Sequence, residues 1–548
     1  MKSTNPLFDS FNSAHTTNGA KAFASTNSAL LDLFARGGSA RKIPKAELCQ
    51  LVDAAWCESP KYTIRLACFI RDARGGYGER DAFRTIIRHL AETKDCIAMK
   101  RIVPFIPEYG RFDDLLTLFG TPCELTALNF IAQVLICDLA TKQIRVKFGN
   151  TGLQEYMKNT YTLHECDIGK SITLLGKWLP SINASNLEAR SAALRICRFL
   201  GINCATYRKM CSALRVELDL VENNLRLGSF SGINYEKVPS LALLKYRKVF
   251  KSKSPEYAEY LEAVSKGEKK INTSVTTPYD IIHQIRVALT AKNPDYDIPD
   301  NSSYWCDTEV SQFQSRANGT NWRVKGELKD ETLIQAWKNL PDYICGNHPA
   351  LAVCDVSGSM FNEINSIDVA LSLTLYLAER NTGAWAKNFF TFDDDSQLVT
   401  LHGKDIYDRV ANLGCTKWGG STNVMSTFDN LLTHAVMSNI AKEDMPEKII
   451  IISDMQFNPC GMNGGSSAFD AIRRSYSNAG YEVPQLVFWN TNAEVNNQPV
   501  TRDENGVILV SGYSASLFKF ILSTEHDVTP ESFMLSILDG ERYVKVAP

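Results

Sequence analysis

The chain has 548 residues, 44% of them hydrophobic and 22% charged, with a formal net charge of −2; at about 150 residues per domain this allows several globular domains and excludes a disordered or fibrous chain. Residues 1–20 are polar and lack the apolar core of a signal peptide. The longest nearly apolar run, Phe130–Ala140, is shorter than the ~18 residues a transmembrane helix needs, so no membrane partner is expected.

Residues 1–39, rich in Ser, Thr, Asn and Gly, read as an extended arm with one apolar patch, Ala29–Ala35. Over residues 40–345 apolar residues recur at spacings of three and four, as in Leu48, Leu51, Val52 and Ala55, the period of amphipathic helices. Breakers fall between these stretches: Gly75-Gly76, Pro104, Pro107, Gly110, Pro180, Gly201, Pro239, Pro255 and Pro278. The pattern predicts helix pairs stacked as an irregular solenoid, a HEAT-like ring or arc. Within it, Asn293–Ser303 reads as a loop and Asp330–Leu340 as a helix.

At Pro349 the pattern changes. Short apolar strands are predicted at Ala350–Cys354, Asn388–Phe392, Lys448–Ile452, Gln485–Trp489 and Val507–Val510. Helices are predicted at Ile364–Arg380, Lys404–Leu413, Ser426–Ala441 and Ser467–Ala479, with two more at the end. Alternating fully apolar strands and helices indicate a doubly wound, mostly parallel sheet over residues 346–548. The expected class is therefore an all-α domain followed by an α/β domain.

The cysteines number 15, an odd count with no C-x-x-C pair, and the eight histidines form no H-E-x-x-H. Free thiols in a reducing, cytoplasmic compartment are expected, and structural zinc is not. Charge divides by domain: residues 40–300 hold 38 basic and 29 acidic residues, a net of +9, and residues 301–548 hold 18 and 30, a net of −12. A positive first half attracts polyanions, although two unrelated solvated surfaces give the same tally.

The most specific motif is Asp355-Val356-Ser357-Gly358-Ser359, between an apolar strand and a helix. Ligands of open α/β sheets bind at strand C-termini. One carboxylate and two hydroxyls there are hard oxygen ligands, suited to Mg²⁺, Mn²⁺ or Ca²⁺. Thr422, in the loop Gly419–Asn423, and Asp454, at the end of a second central strand, complete the set. The constellation resembles the metal-ion-dependent adhesion site of von Willebrand factor A domains, with all five positions matched. The resemblance implies one divalent cation, Mg²⁺ first, with a coordination position left open for an oxygen of a protein partner. The competing reading is a serine-rich helix cap beside unrelated aspartates. Asp393-Asp394-Asp395 reads as a solvated turn, and Cys354 and Cys415 as packing residues. No histidine lies in these motifs, so binding rather than enzymatic turnover is expected. Gly512–Ser516 lacks the final glycine of a nucleophile elbow and reads as a helix start capped by Ser514.

In the helical half, Arg71-Asp72-Ala73-Arg74-Gly75-Gly76-Tyr77-Gly78-Glu79-Arg80 and Ile106-Pro107-Glu108-Tyr109-Gly110-Arg111-Phe112-Asp113-Asp114-Leu115-Leu116 resemble signatures of TROVE modules, the helical rings of the Ro autoantigen family. A ring followed by a von Willebrand A domain is that family's order. Val238-Pro239-Ser240 and Ser453-Asp454-Met455-Gln456-Phe457 place the resemblance closest to an uncharacterised TROVE-like branch. It implies a protein that binds small structured or misfolded RNA. Candidate contacts are Arg80, Arg84 and Arg88 at i, i+4 and i+8 on one helix, with Arg71, Arg74 and Arg111 near them. Arg208, Lys209 and Arg215 form a second group. Lys245, Arg247 and Lys248 form a third, with Lys251 and Lys253 beyond and Tyr246 and Phe250 interleaved. Ordinary solvated helix faces, with Glu79 and Asp81 paired to the first stripe, are the alternative. A monomer is expected. The rival function is a protein–protein scaffold without RNA, which uses the metal to engage an acidic partner.

Overall fold

The computed structural model describes residues 12–94, 96–144, 146–147, 149, 171–290, 329–344, 349–361, 366–392, 396–413, 424–457, 468–494 and 496–546. It opens with a hairpin, β1 (Ser13–His15) and β2 (Lys21–Phe23). The helical run follows: α1 (Ala29–Gly37), α2 (Lys45–Glu58), α3 (Pro60–Arg71), α4 (Arg80–Thr93), α5 (Cys96–Ile102), α6 (Ile106–Tyr109), α7 (Glu124–Thr141), α8 (Leu175–Trp178), α9 (Leu187–Leu200), α10 (Cys204–Glu217), α11 (Val221–Leu227), α12 (Ser240–Lys253), α13 (Pro255–Ser265), α14 (Pro278–Thr290) and α15 (Glu331–Lys338). Local chemistry sets the ends. Ser59 caps α3 by accepting from Tyr62 N, with Pro60 in the first turn, and Asn186 caps α9 by accepting from Ala189 N. In α4 the buried residues Ala82, Phe83, Ile86, Ile87 and Leu90 form one stripe at the helical period. Consecutive helices pack on one another, α2 on α3, α3 on α4, α9 on α10 and α12 on α13.

The second unit is β3 (Ala350–Asp355), α16 (Ser366–Arg380), β4 (Asn388–Phe392), β5 (Leu398–Thr400), α17 (Ile406–Leu413), α18 (Val424–Met437), β6 (Lys448–Ser453), α19 (Ala468–Ala479), β7 (Gln485–Asn490), β8 (Val507–Ser511), α20 (Leu517–Leu522), α21 (Pro530–Leu538) and α22 (Glu541–Val544). Its six strands lie in the order β5-β4-β3-β6-β7-β8, parallel except for β5, which runs antiparallel to β4 at one edge. Counted within the unit the order is 3-2-1-4-5-6, which puts the topological switch point between β3 and β6. Alternate residues face opposite layers. Leu351, Val353, Ile449, Ile451 and Phe488 pack with Phe428, Leu431, Ile472 and Tyr476 of α18 and α19. Ala352, Cys354, Ile450, Ile452 and Trp489 join a core that runs without a break into the helical run.

One expectation is overturned by the packing. Residues 29–37 are not part of an extended arm but a buried helix wedged against β8. Gly38 N donates to Ser511 Oγ at 2.9 Å and Ser39 Oγ to Asn490 O at 2.8 Å. A Cβ on Gly38 would lie 2.3 Å from Ser511 O, so this approach needs glycine. The run Phe130–Ala140 extends into α7, 18 residues and by length and composition alone long and apolar enough to cross a bilayer. It packs Ala127, Leu128, Ile131, Leu135 and Leu139 into the helical core.

The α/β unit touches both ends of the helical run, through α1 on β8 and through α14 on α16. The C-terminal helices return to α3. Arg65, 3% exposed, donates to the carbonyls of Leu538, Val544 and Val546, and Tyr543 OH donates to Asp72 Oδ2 at 2.8 Å. Tyr109 stacks on Tyr543 with centroids 5.5 Å apart.

Candidate metal centre

The sheet delivers two carboxylates to its switch point. Asp355 ends β3, Cys354 pairs with Ile452 of β6, and the next β6 residue, Ser453, therefore lies beside Asp355. Asp355 is 0% exposed and Asp454 3%. Asp355 Oδ1 accepts from Ser357 N at 2.9 Å, and its Oδ2 accepts from Ser453 Oγ. Ser357 Oγ lies 3.0 Å from Ser359 Oγ, and Ser359 also bonds the Asp454 carboxylate. Asp454 Oδ1 accepts from Gln456 N at 3.2 Å. Ser357 is buried and Ser359 exposed, so the hydroxyls run from the floor of the site to its mouth.

Burial raises the pKa of both carboxyls, and the charge of Asp454 raises that of Asp355 further. No Lys, Arg or His forms an ion pair with either among the described residues. Two buried carboxylates without counter-charge are costly, and a hard cation between them removes that cost. The donor set, two carboxylates and two hydroxyls, is all oxygen and fits Mg²⁺. Among the described residues no group of three or more His, Cys, Asp and Glu side chains can hold a metal. Thr422 and Asp393–Asp395 lie outside the described residues.

Ser453 entered the sequence analysis only as part of a family-like motif and not as a site residue. Its hydroxyl donates to Asp355 and accepts from Met455 N at 3.0 Å, which ties the β3 end to the turn that carries Asp454. Its place before a strand-end aspartate is the only sequence signal. The β1–β2 hairpin was also missed as a neighbour. Thr16 Oγ1 donates to Phe457 O at 2.6 Å, Thr17 N to Gln456 Oε1 at 2.8 Å and Asn18 Nδ2 to Gln456 O at 2.6 Å, so the arm holds the loop after Asp454. Cys354 is a packing residue, its thiol buried and pushed up to about 12 by desolvation. Ser514 does not cap α20. The N-cap position is Ser516, without a side-chain cap, and the two hydroxyls lie 2.8 Å apart.

The candidate RNA contacts separate into three sets. Arg71, Arg84 and Arg111 converge on Asp113 and Asp114: Arg71 Nε donates to Asp114 Oδ2 at 2.8 Å, Arg84 Nε to Asp114 Oδ1 at 2.6 Å, and Arg111 Nη2 to Asp113 Oδ2 at 2.7 Å. A Cβ on Gly110 would sit 2.4 Å from Asp114 Oδ2, so the glycine of that signature makes room for the network. Arg215 donates to the carbonyls of Gly176 and Leu179, and Arg247 to Asp330 Oδ2 at 2.8 Å. These five are internal ties. Arg80 and Arg88 are exposed and pair with Asp81 and Glu92, whereas Glu79 pairs with Arg41. Arg74, Arg208, Lys209, Lys245 and Lys248 are exposed and form no ion pair among the described residues. Lys245 Nζ stands 5.2 Å from the Tyr246 ring centroid, whereas Phe250 is fully buried.

Comparison with known proteins follows the same division. Residues 349–542, the α/β unit, match the family model described as "Domain of unknown function (DUF7788)". Residues 16–95 and 188–338, which take in β2 and most of the helical run, match that described as "Domain of unknown function (DUF2828)". A protein of Acanthamoeba polyphaga mimivirus, "Uncharacterized protein L728", is similar at 26% identity over 554 residues, 96% of this chain and 87% of that protein, so the likeness runs through both units.

Proposed function

We propose that this is a non-enzymatic binding protein of Ro-like organisation. Its α/β unit is a von Willebrand factor A-type domain that holds one Mg²⁺, and its helical run binds small structured or misfolded RNA. The observation that carries the reading is the pair of buried, uncompensated carboxylates of Asp355 and Asp454 beside two serine hydroxyls at the sheet's switch point. The strand order, with one antiparallel edge strand, supports the A-type assignment. Bound Mg²⁺ supplies a Lewis-acidic position for a carboxylate or phosphate oxygen of a partner; Mn²⁺ and Ca²⁺ suit the same donors. Asp355, Ser357, Ser359 and Asp454 are the residues that would hold it. Ser453 fixes the Asp355 carboxylate, and burial keeps bulk water from the floor.

The RNA reading rests on the Ro-like signatures and on Arg74, Arg208, Lys209, Lys245 and Lys248, which are exposed and free to neutralise phosphates. A protein scaffold without RNA is the second reading. It is favoured by the internal commitment of Arg71, Arg84, Arg111, Arg215 and Arg247. Gel-shift with total cellular RNA at graded salt separates the two. Binding that weakens steeply with salt, and is lost in a variant combining R208E, K209E, K245E and K248E, supports RNA; no salt-dependent binding by the folded protein supports the scaffold.

A further inference from the structure

The turn that carries Asp454 is strained. Its second residue, Met455, lies in the left-handed region (φ 65°), which few side chains adopt, and such a residue persists where its neighbours over-determine it. Inside the α/β unit the Ser453 hydroxyl accepts from Met455 N at 3.0 Å. Gln456, next in the chain and 8% exposed, donates its backbone N–H to Asp454 Oδ1 at 3.2 Å. The position of Gln456 therefore bears on the orientation of the Asp454 carboxylate. Gln456 is in turn held from the far end of the sequence, by the turn of the β1–β2 hairpin. Its Oε1 accepts from Thr17 N at 2.8 Å and its carbonyl from Asn18 Nδ2 at 2.6 Å, while Thr16 Oγ1 donates to Phe457 O. Thr16 Oγ1 also accepts from Ala20 N at 2.9 Å, so the hydroxyl that reaches Phe457 closes the hairpin turn as well. A hairpin of three residue pairs is not stable alone, and its order depends on what it docks against. The second dock is the loop that leaves β7: Phe23 and Gln498 exchange backbone hydrogen bonds at 2.9 Å, and Asn496 Nδ2 donates to Ala24 O at 2.9 Å. Both docks follow the C-terminal ends of central strands, the side of the sheet on which Asp355 and Asp454 stand.

On the reading of Asp355 and Asp454 as ligands of a divalent cation, we propose that the β1–β2 hairpin is a positioning element of that centre. Through Gln456 it sets the Asp454 carboxylate, and cation binding and hairpin docking strengthen one another. The two events share the turn from Asp454 to Gln456. A docked hairpin fixes Gln456, whose N–H holds one carboxylate oxygen of Asp454. A bound cation fixes the carboxylate, and with it the turn on which the hairpin sits. Linkage makes the effect reciprocal: the factor that docking adds to cation affinity is the factor that the cation adds to docking. The hairpin residues act through Gln456 and donate nothing to the cation, so their effect is that of an outer partner that orients a ligand.

Two measurements on the full-length protein test this: Mn²⁺ affinity by electron paramagnetic resonance, and amide hydrogen exchange across β1 and β2 by mass spectrometry. Thr16→Val combined with Asn18→Ala removes two of the three ties and leaves Gln456 and the ligands untouched. It should weaken Mn²⁺ binding roughly 5–10-fold. Thr16→Ser, which keeps the hydroxyl, should bind as the wild type does. In the wild type, saturating Mg²⁺ should slow exchange across the hairpin; in Asp454→Ala it should have no effect. A wild type that binds Mn²⁺ while its hairpin exchange is indifferent to Mg²⁺, or a folded double variant that binds as tightly as the wild type, would overturn the coupling and leave the metal centre standing. A wild type that binds no ion would overturn both. If the double variant fails to fold, wild-type exchange with and without Mg²⁺ decides alone.

Discussion

Replacing Asp114 by alanine tests whether the arginines of the helical signatures are structural. Asp114 is 0% exposed and accepts from Arg71 Nε, Arg84 Nε and Arg111 N at 2.8, 2.6 and 3.0 Å. Arg71 is itself 5% exposed, so Asp114→Ala leaves a buried guanidinium without its carboxylate. Breaking a buried pair in this way costs roughly 3–5 kcal/mol. Arg88→Ala removes an exposed pair with Glu92 and should change stability by about 0–1 kcal/mol. Urea unfolding followed by far-UV circular dichroism measures both. An Asp114→Ala protein within about 1 kcal/mol of wild type would refute the assignment of this network to the folded core.

Other outcomes follow from the same contacts. Ser453→Ala, which removes the hydroxyl that donates to Asp355 Oδ2, should weaken Mg²⁺ binding roughly 10–100-fold with an unchanged circular dichroism spectrum; an unchanged affinity would remove Ser453 from the site. Glu79 is buried beside Arg41, and desolvation pushes its pKa up to about 7 from 4.5. A carboxyl raised on folding contributes stability that is complete below the unfolded value and is lost as pH rises through the folded one. Glu79→Gln should therefore flatten the fall in stability between about pH 4.5 and 7 by on the order of 3 kcal/mol, and parallel profiles for the two proteins would contradict the assignment.

The strands of the α/β unit were legible because each is an unbroken apolar run: Ala350–Cys354 and Lys448–Ile452 were expected within a residue of where β3 and β6 lie. The strand-end places of Asp355 and Asp454 were legible because each stands at the end of an apolar run. Edge strand β5 was not, since three residues carry too little pattern to stand out. The burial of Ala29–Gly37 depends on Ser511 and Asn490, more than 450 positions away, which no local period encodes. The arginine stripe shows the same limit. Spacing placed Arg80, Arg84 and Arg88 on one side of α4, but Asp113 and Asp114, which engage Arg84, arrive from another segment.

The most direct measurement is Mn²⁺ binding to the full chain, read by electron paramagnetic resonance and competed with Mg²⁺. The wild type should show one site, displaced by Mg²⁺ and lost in both Asp355→Ala and Asp454→Ala proteins that keep their helical circular dichroism. A wild type that binds no ion, or variants that bind it as tightly as before, would contradict the metal assignment.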